Sequence, residues 1–354
     1  MPISPIAEFL PLGAIVQTFM VDNRNIVQGF PSQALYEAYN SSYFGETIGR
    51  VANRVSNARI NSLNDKSYNL SRTDEEHSLH GGALGWGKKI WDGPIPIEQR
   101  GIPGITELER GESVMFKLTS DDGDQGYPGA VEAQTIYTTG IQLEDGKEIS
   151  VLGIEFEVRM RDEGIDHDSD GVAATVVNMT NHSYFNLSGE ANIDGTIVSL
   201  CTEKFLPVNQ TGIPISLDPL SFPGVVANEP FTLTSMNIDN CFIVEPSASS
   251  QIPLDTRSSP LRRLVSAHHQ ATGIRLEVLS TEPAFQFYTG KYIDVPAVED
   301  TPARGPRSGF CVEPGRYVDA VNRQEWKSQV VLKRGETYGS RIVYRAWSNN
   351  SIVH

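Results

Sequence analysis

Residues 176–189, VVNMTNHSYFNLSG, begin like a strand and run into a histidine, His182, set among amides, hydroxyls and aromatics. Similar groupings recur where other strand-like runs end. TIGRVANRVSNARI carries Arg50, Asn53 and Arg54, and HSLHGGALGWGKKIW carries His77 and His80 before a Gly-Gly turn. NIDNCFIV carries Asp239, TEPAFQFYTGKY carries Gln286, and SGFCVEPGRYVDAVN carries Glu313. Each has an ordinary structural reading. An arginine can form a surface ion pair, His80 can cap a turn, Asp239 can form one, and Glu313 before Pro314-Gly315 can sit in an exposed loop. As a set they suit a sugar. Carboxylates, amides and guanidinium groups bind hydroxyls through charge-assisted hydrogen bonds, while aromatic faces pack on sugar C–H surfaces. Glutamate and histidine are also well suited to general base and acid work near neutral pH.

The elements that must hold these groups read as strands. Ten short runs rich in Val, Ile, Phe, Tyr and Thr, from AIVQTFMV near the N-terminus to YGSRIVYRAW near the C-terminus, are separated by Gly, Pro, Asn and Asp clusters. No long segment keeps apolar residues at i, i+3, i+4 and i+7. That pattern predicts an all-β protein, a large antiparallel sandwich or barrel, with a short helical turn in GFPSQALYEAYNSSYFG. All 354 residues are expected in one domain, since all-β units reach this size, and no repeat or linker interrupts them.

Composition narrows the classes of partner. The net charge of −15 and pI of about 4.9 make a nucleic-acid or anionic-membrane surface a poor match. No apolar run is long enough to span a bilayer. The N-terminus lacks the basic region of a signal peptide, so a cytoplasmic location is favoured. Asn-x-Ser/Thr triplets at Asn40, Asn69, Asn178, Asn181, Asn186, Asn209 and Asn349 leave secretion open. Cys201, Cys241 and Cys311 are sparse and odd in number, which predicts free thiols. DEGIDHDSDG (162–171) places Asp166, Asp168 and Asp170 before Gly171 like a calcium loop. Val177 stands where the closing glutamate belongs, so an acidic turn is the better reading. A zinc site from His80, His182 and Asp239 is conceivable by ligand type but has no supporting spacing. No metal or organic cofactor is expected.

TIGRVANR, HSLHGG, DGDQGYPG, TNHSYFNLSG, NIDNCF, TEPAFQFYTG and GFCVEPGRYVDAVN, in that order, resemble the aldose 1-epimerase (galactose mutarotase) family along nearly the whole chain. The resemblance implies a galactose-mutarotase-like supersandwich that interconverts the anomers of a free aldose, with a small sugar as partner and a monomer favoured. It implies Glu313 as catalytic base, His182 as catalytic acid, and His80, Asp239, Gln286, Arg54 and Asn53 as sugar contacts. Two departures bear on the preferred sugar. Glu313-Pro314-Gly315-Arg316 stands where the family often has Glu-Thr-Gln, and Asn237-Ile238-Asp239-Asn240 where it often has Asp-His-Asn. At neutral pH, ordinary values of ~4.3 for Glu and ~6.5 for His predict a carboxylate beside a partly protonated imidazole, with Asp239 steadying the cation. Three other readings stay open. One is a hexose-6-phosphate epimerase using Arg257, Arg262 and Arg263. Another is a glycoside hydrolase using Asp239 and Glu313. The third is a sugar-binding module without catalysis.

Overall fold

The computed structural model describes residues 5–74, 76–161, 172–234, 236–244 and 252–349. The acidic segment 162–171, read above as a turn, lies outside the described residues. Each of the ten runs singled out by composition contains a strand. The helical turn expected before Tyr43 is the helix Gln33–Tyr39, and it is the one α-helix among the described residues.

Two antiparallel sheets dominate. The larger has nine strands, ordered Phe231–Leu233, Thr196–Leu200, Arg262–His269, Ile274–Ser280, Tyr338–Ser348, Lys147–Met160, Val131–Glu144, Glu109–Ser120 and Asp92–Ile97. The smaller has six, ordered Tyr184–Phe185, Phe310–Gly315, Ala284–Tyr288, Asp239–Ile243, Lys204–Phe205 and Leu220–Ser221. They share one apolar core. Leu276, Val278, Leu152, Ile154, Ile342 and Tyr344 of the large sheet join Phe242, Phe285, Phe287, Phe310 and Val312 of the small one. This is the expected sandwich: each sheet has one apolar face that can be buried only against another. Alternation does the sorting. In Ile274–Ser280, every second residue is buried and those between are half-buried, as a period of two requires.

The same alternation builds the site on the reverse face of the small sheet. Along Phe310–Gly315, Phe310 and Val312 enter the shared core, which sends Cys311 and Glu313 to the other side. Register then lines up partners from neighbouring strands. Glu313 stands opposite Gln286 and Gln286 opposite Cys241, while Tyr184, Cys311, Tyr288 and Asp239 form the adjacent row. Side chains directly opposite across strands are only about 4.5–5.5 Å apart at Cβ, so these two rows converge.

Pro314 is tolerated inside this strand for a local reason. Tyr184–Phe185 pairs only with Cys311 and Phe310. Beyond that point one edge of the strand is unpaired, and a missing N–H breaks no ladder bond.

Candidate active site

His182 sits in a backbone clamp. Its N–H donates to the Glu46 carbonyl at 2.9 Å and its carbonyl accepts the Gly45 N–H at 3.1 Å. The amides and hydroxyls around it in sequence serve the backbone, not the ring. Asn181 accepts from the Ser183 N–H and Oγ and donates to the Gly45 carbonyl. Asn186 accepts from Ser188 and Gly189 and donates to the Glu190 and Ser308 carbonyls. Asn178, Asn181 and Asn186 are all buried, which suits structure rather than glycan attachment.

The ring meets other partners. Nε2 lies 3.4 Å from Glu313 Oε2, and Nδ1 lies 3.5 Å from Cys311 Sγ. The rings of His80, Tyr184 and Tyr43 surround it with centroids 5.1, 5.0 and 5.7 Å away. His80, His182 and Glu313 expose only 8%, 4% and 6% of their surfaces.

His80 is held by Asn53 from both sides. Its N–H donates to the Asn53 carbonyl, and its Nδ1 accepts the Asn53 N–H at 3.3 Å. The Gly81-Gly82 turn carries the chain away from it. Gly81 has φ +85°, and a Cβ there would lie 2.0 Å from the Gly49 carbonyl oxygen, so a side chain is sterically barred. Because Nδ1 accepts, the neutral His80 ring carries its proton on Nε2.

Burial governs the protonation states. It pushes Glu313 well above the usual carboxylate range. The negative charge of Asp239 adds to this and Arg54 opposes it. Burial lowers His182 to about 3, with its own backbone carbonyl opposing and the Lys88 ammonium assisting. His80 is lowered well below 6.5 by burial and by the charges of His182, Arg54 and Lys88. Both shifts disfavour charge, so burial favours a neutral imidazole beside a protonated carboxyl over the carboxylate and partly charged histidine expected from isolated values. Asp239 is the charge that raises Glu313, and its carboxylate accepts from Gln286. The pair still carries one proton in total, which either residue can hold.

The remaining predicted residues divide. Asp239 Oδ1 accepts from Gln286 Nε2 at 2.7 Å, and Arg54 is paired with Asp74 at 2.6 Å while its charge reaches Asp239, Glu313 and His80. Asn53 turns its side-chain oxygen to the Arg54 N–H, and it lines a small cavity beside Glu313 with Thr180, Gln286 and Asn178. Arg50 and His77 stand apart. Arg50 is buried and donates to the Pro128, Gly129, Ser120 and Asp121 carbonyls, and His77 Nδ1 accepts the Asn57 N–H. A larger hollow, about 570 Å³, is lined by residues 99–108 alone and by none of the predicted residues.

His80, His182 and Glu313 bring possible ligand atoms within 4.8 Å of one another. Asp239, weighed above with the two histidines as a conceivable zinc ligand, is not in that group. A metal on His80 Nε2 normally leaves Nδ1 as a donor, and here Nδ1 faces the Asn53 N–H. The second contacts of the site thus fit a hydrogen-bonding His80 better than a metal-bound one.

Sequence reasoning missed Tyr43, Cys311 and the Glu46–Lys88 pair. Lys88 Nζ lies 2.5 Å from Glu46 Oε1 and 4.7 Å from the centre of the Tyr43 ring. Burial raises Glu46 to about 7 against the pull of Lys88 and Asn40. The sequence signal for them was position: Tyr43 and Glu46 directly precede TIGRVANR, Lys88 follows HSLHGG within HSLHGGALGWGKKIW, and Cys311 lies within SGFCVEPGRY.

The family model for aldose 1-epimerase matches residues 6–345. The bifunctional protein gal10 of Schizosaccharomyces pombe is 33% identical and matches 96% of this chain but 43% of its own length. The chain spans less than half the length of the three bifunctional relatives compared. Human galactose mutarotase is 32% identical, covering 89% of this chain and 81% of its own. Among solved structures, a GalM/aldose epimerase homologue from C. elegans shares the fold with a TM-score of 0.75 at 22% identity, over 97% and 96% of the two chains.

Proposed function

Since this chain belongs to the aldose 1-epimerase family, we propose that it interconverts the α and β anomers of a free hexose by acid–base ring opening. The observation that carries this is the buried contact of 3.4 Å between His182 Nε2 and Glu313 Oε2. It supports the reading because a proton donor and a proton acceptor in direct contact can serve O5 and O1 of one ring together.

In the proposed cycle Glu313 removes the proton of the anomeric O1 hydroxyl, and the O1 electrons form the aldehyde. The C1–O5 bond breaks, its electron pair stays on O5, and His182 Nε2 delivers the proton there. Rotation about C1–C2 presents the other face of the aldehyde, and both transfers reverse to close the ring. The Glu313–His182 pair holds one proton before and after each half-reaction. Burial favours the form with Glu313 protonated. Sugar hydroxyls and the neighbouring polar groups must therefore stabilise the charge-separated form that starts the cycle. Asp239, Gln286, Arg54 and the His80 Nε2–H supply acceptors and donors for the hydroxyls. Asn53 acts mainly by setting the His80 ring.

The human relative is named for galactose, which favours a free hexose of that kind as substrate. A phosphorylated hexose would need free cations near the pair. Arg257 instead bonds Asp255, Glu155 and Glu157, and Arg263 bonds Glu277. Polarimetry of freshly dissolved α-D-glucose and α-D-galactose tests the reading. We expect wild type to reach equilibrium rotation far ahead of buffer, and Glu313→Gln to lose about 10²–10⁴ of that rate. The wild-type rate should also show no acid limb near 6.5, because His182 does not titrate there. Near wild-type turnover by Glu313→Gln would overturn the assignment of the base. Acceleration with glucose 6-phosphate alone would transfer the reading to a phosphorylated sugar.

A further inference from the structure

The far side of His182 is as closely built as the side facing Glu313. Cys311 is fully buried and stands two residues before Glu313 on the same strand and face. Its sulfur is 3.5 Å from His182 Nδ1, so one strand supplies a partner for each ring nitrogen. We propose that Cys311 is a positioning residue: its sulfur accepts the His182 Nδ1–H and thereby reserves Nε2 as the nitrogen that exchanges protons with the sugar. This rests on the acid–base reading above.

The proton count requires such a partner. When His182 gives its Nε2 proton to O5, the neutral ring left behind must hold its remaining proton on Nδ1. Only then is Nε2 bare and able to take that proton back on ring closure. A neutral imidazole otherwise partitions between two tautomers, and the wrong one presents a donor where an acceptor is needed.

A thiol does this differently from a carboxylate. A carboxylate on Nδ1 stabilises the imidazolium and makes it a weaker acid. Sulfur is a weak, uncharged acceptor that fixes the tautomer and leaves the imidazolium strongly acidic, which suits donation to a sugar ether oxygen. Burial and the nearby Glu313 push the thiol well above its usual value, so it stays uncharged. Tyr184 stands opposite Cys311 on the neighbouring strand, and its ring packs against that of His182. The groups facing His182 among the described residues are then Glu313, Cys311, His80, Tyr184, Tyr43 and Lys88, with Lys88 the fixed cation of this set.

Nitrogen-15 NMR of the histidine-labelled chain, with Cys311→Ser and Cys311→Ala, tests the proposal. The His182 signals are identified as those missing from His182→Gln. At pH 8 we expect a protonated, pyrrole-like Nδ1 and a bare, pyridine-like Nε2 in wild type and in Cys311→Ser, where a hydroxyl oxygen can still accept. In Cys311→Ala the two nitrogens should average toward each other. By polarimetry Cys311→Ala should lose about tenfold in kcat with KM within twofold, and Cys311→Ser should recover most of it. A pyridine-like Nδ1 in wild type, or a Cys311→Ala chain with unchanged kcat and tautomer, overturns the proposal. The tautomer is read without any sugar, so a wild-type chain inactive on aldoses would refute the acid–base reading and leave the NMR result standing by itself.

Discussion

The outer face of the nine-stranded sheet and the site face of the six-stranded sheet both carry many charges, and they treat them in opposite ways. On the outer face, register puts opposite charges directly across from each other. Glu155 faces Arg341 and Glu277 faces Arg345, with ion-pair distances of 2.7 and 2.6 Å. Arg257 joins Asp255, Glu155 and Glu157. Arg341 is buried and the other side chains keep some exposure, and their charges cancel locally. On the site face Glu313 is buried with a like charge, Asp239, as its strongest electrostatic neighbour, and His182 is buried with Lys88 nearby. Pairing a surface charge is worth little but costs little. Burying one without a counter-ion is unfavourable and persists only where the rest of the fold overrides it. Frustrated charge, rather than abundant charge, marks the site.

The sharpest break in that contrast is Glu313→Gln. Activity should fall by about 10²–10⁴, and stability should move the other way. The carboxyl of Glu313 is raised in the folded chain, so its contribution is most favourable at low pH. That contribution is lost as pH rises through the raised value, where a buried charge must form. Glutamine never ionises. The variant's Tm should match wild type in acid and exceed it at pH 8. A Tm lower than wild type at pH 8 would mean that Glu313 is well compensated. His182→Gln has the mirror-image sign. His182 is lowered from 6.5 to about 3. The unfolded chain takes up a proton below about 6.5 that the folded chain refuses until about 3, so wild type loses stability between those values. The variant should lose activity on a scale similar to Glu313→Gln, yet lose less Tm between pH 7 and 4 than wild type does. Parallel Tm–pH curves for the two proteins would contradict a depressed histidine.

How far the sequence foretells this contrast depends on distance along the chain. Strand runs such as IRLEVLST, with clean alternation, are legible, because a period of two is a local property. The strands Asp239–Ile243 and Phe310–Gly315 are harder to read, since Asp-Asn and Pro314-Gly315 mimic turns. Pro314 fits only because Tyr184–Phe185 stops short of it, and that is a fact about another segment. Glu313, His182 and His80 could be nominated by residue type and by likeness to a family. Their depressed or raised ionisation could not, since it comes from burial by strands far away in sequence. Cys311 and Tyr43 touch the histidine only in three dimensions. The surrounding asparagines invited the opposite error: rich in hydrogen-bonding groups beside His182, they turn out to hold the backbone and leave the ring to sulfur and carboxyl.

A smaller effect should follow from Asp239→Asn. The change keeps an acceptor for a sugar hydroxyl and the contact to Gln286, but removes the charge that raises Glu313. Glu313 should then ionise at lower pH. We expect a rise in KM of about tenfold from the weaker, uncharged hydrogen bond, with kcat changed less than KM. The alkaline stability penalty of Glu313 should also be smaller, because its folded value then lies closer to that of the unfolded chain, and Tm measured from pH 6 to 9 reports it. An unchanged KM would remove Asp239 from the sugar contacts.

The smallest effect belongs to the outer face. Arg263 bonds Glu277 at 3.0 Å, yet 58% of its side chain is exposed, and Glu277 keeps Arg345 as a second partner. Solvent screens such a pair, and the surviving arginine leaves no buried charge unpaired. Arg263→Ala should therefore cost at most about 0.5 kcal/mol, shrinking further in high salt, and leave kcat and KM for free hexoses unchanged. The same variant probes the phosphate alternative, since Arg263 was one of its three candidate cations. If Arg263→Ala instead impairs turnover, the outer face is coupled to the site through the strands Ile274–Ser280 and Tyr338–Ser348, and charge pairing by register would be part of the catalytic scaffold rather than its bystander.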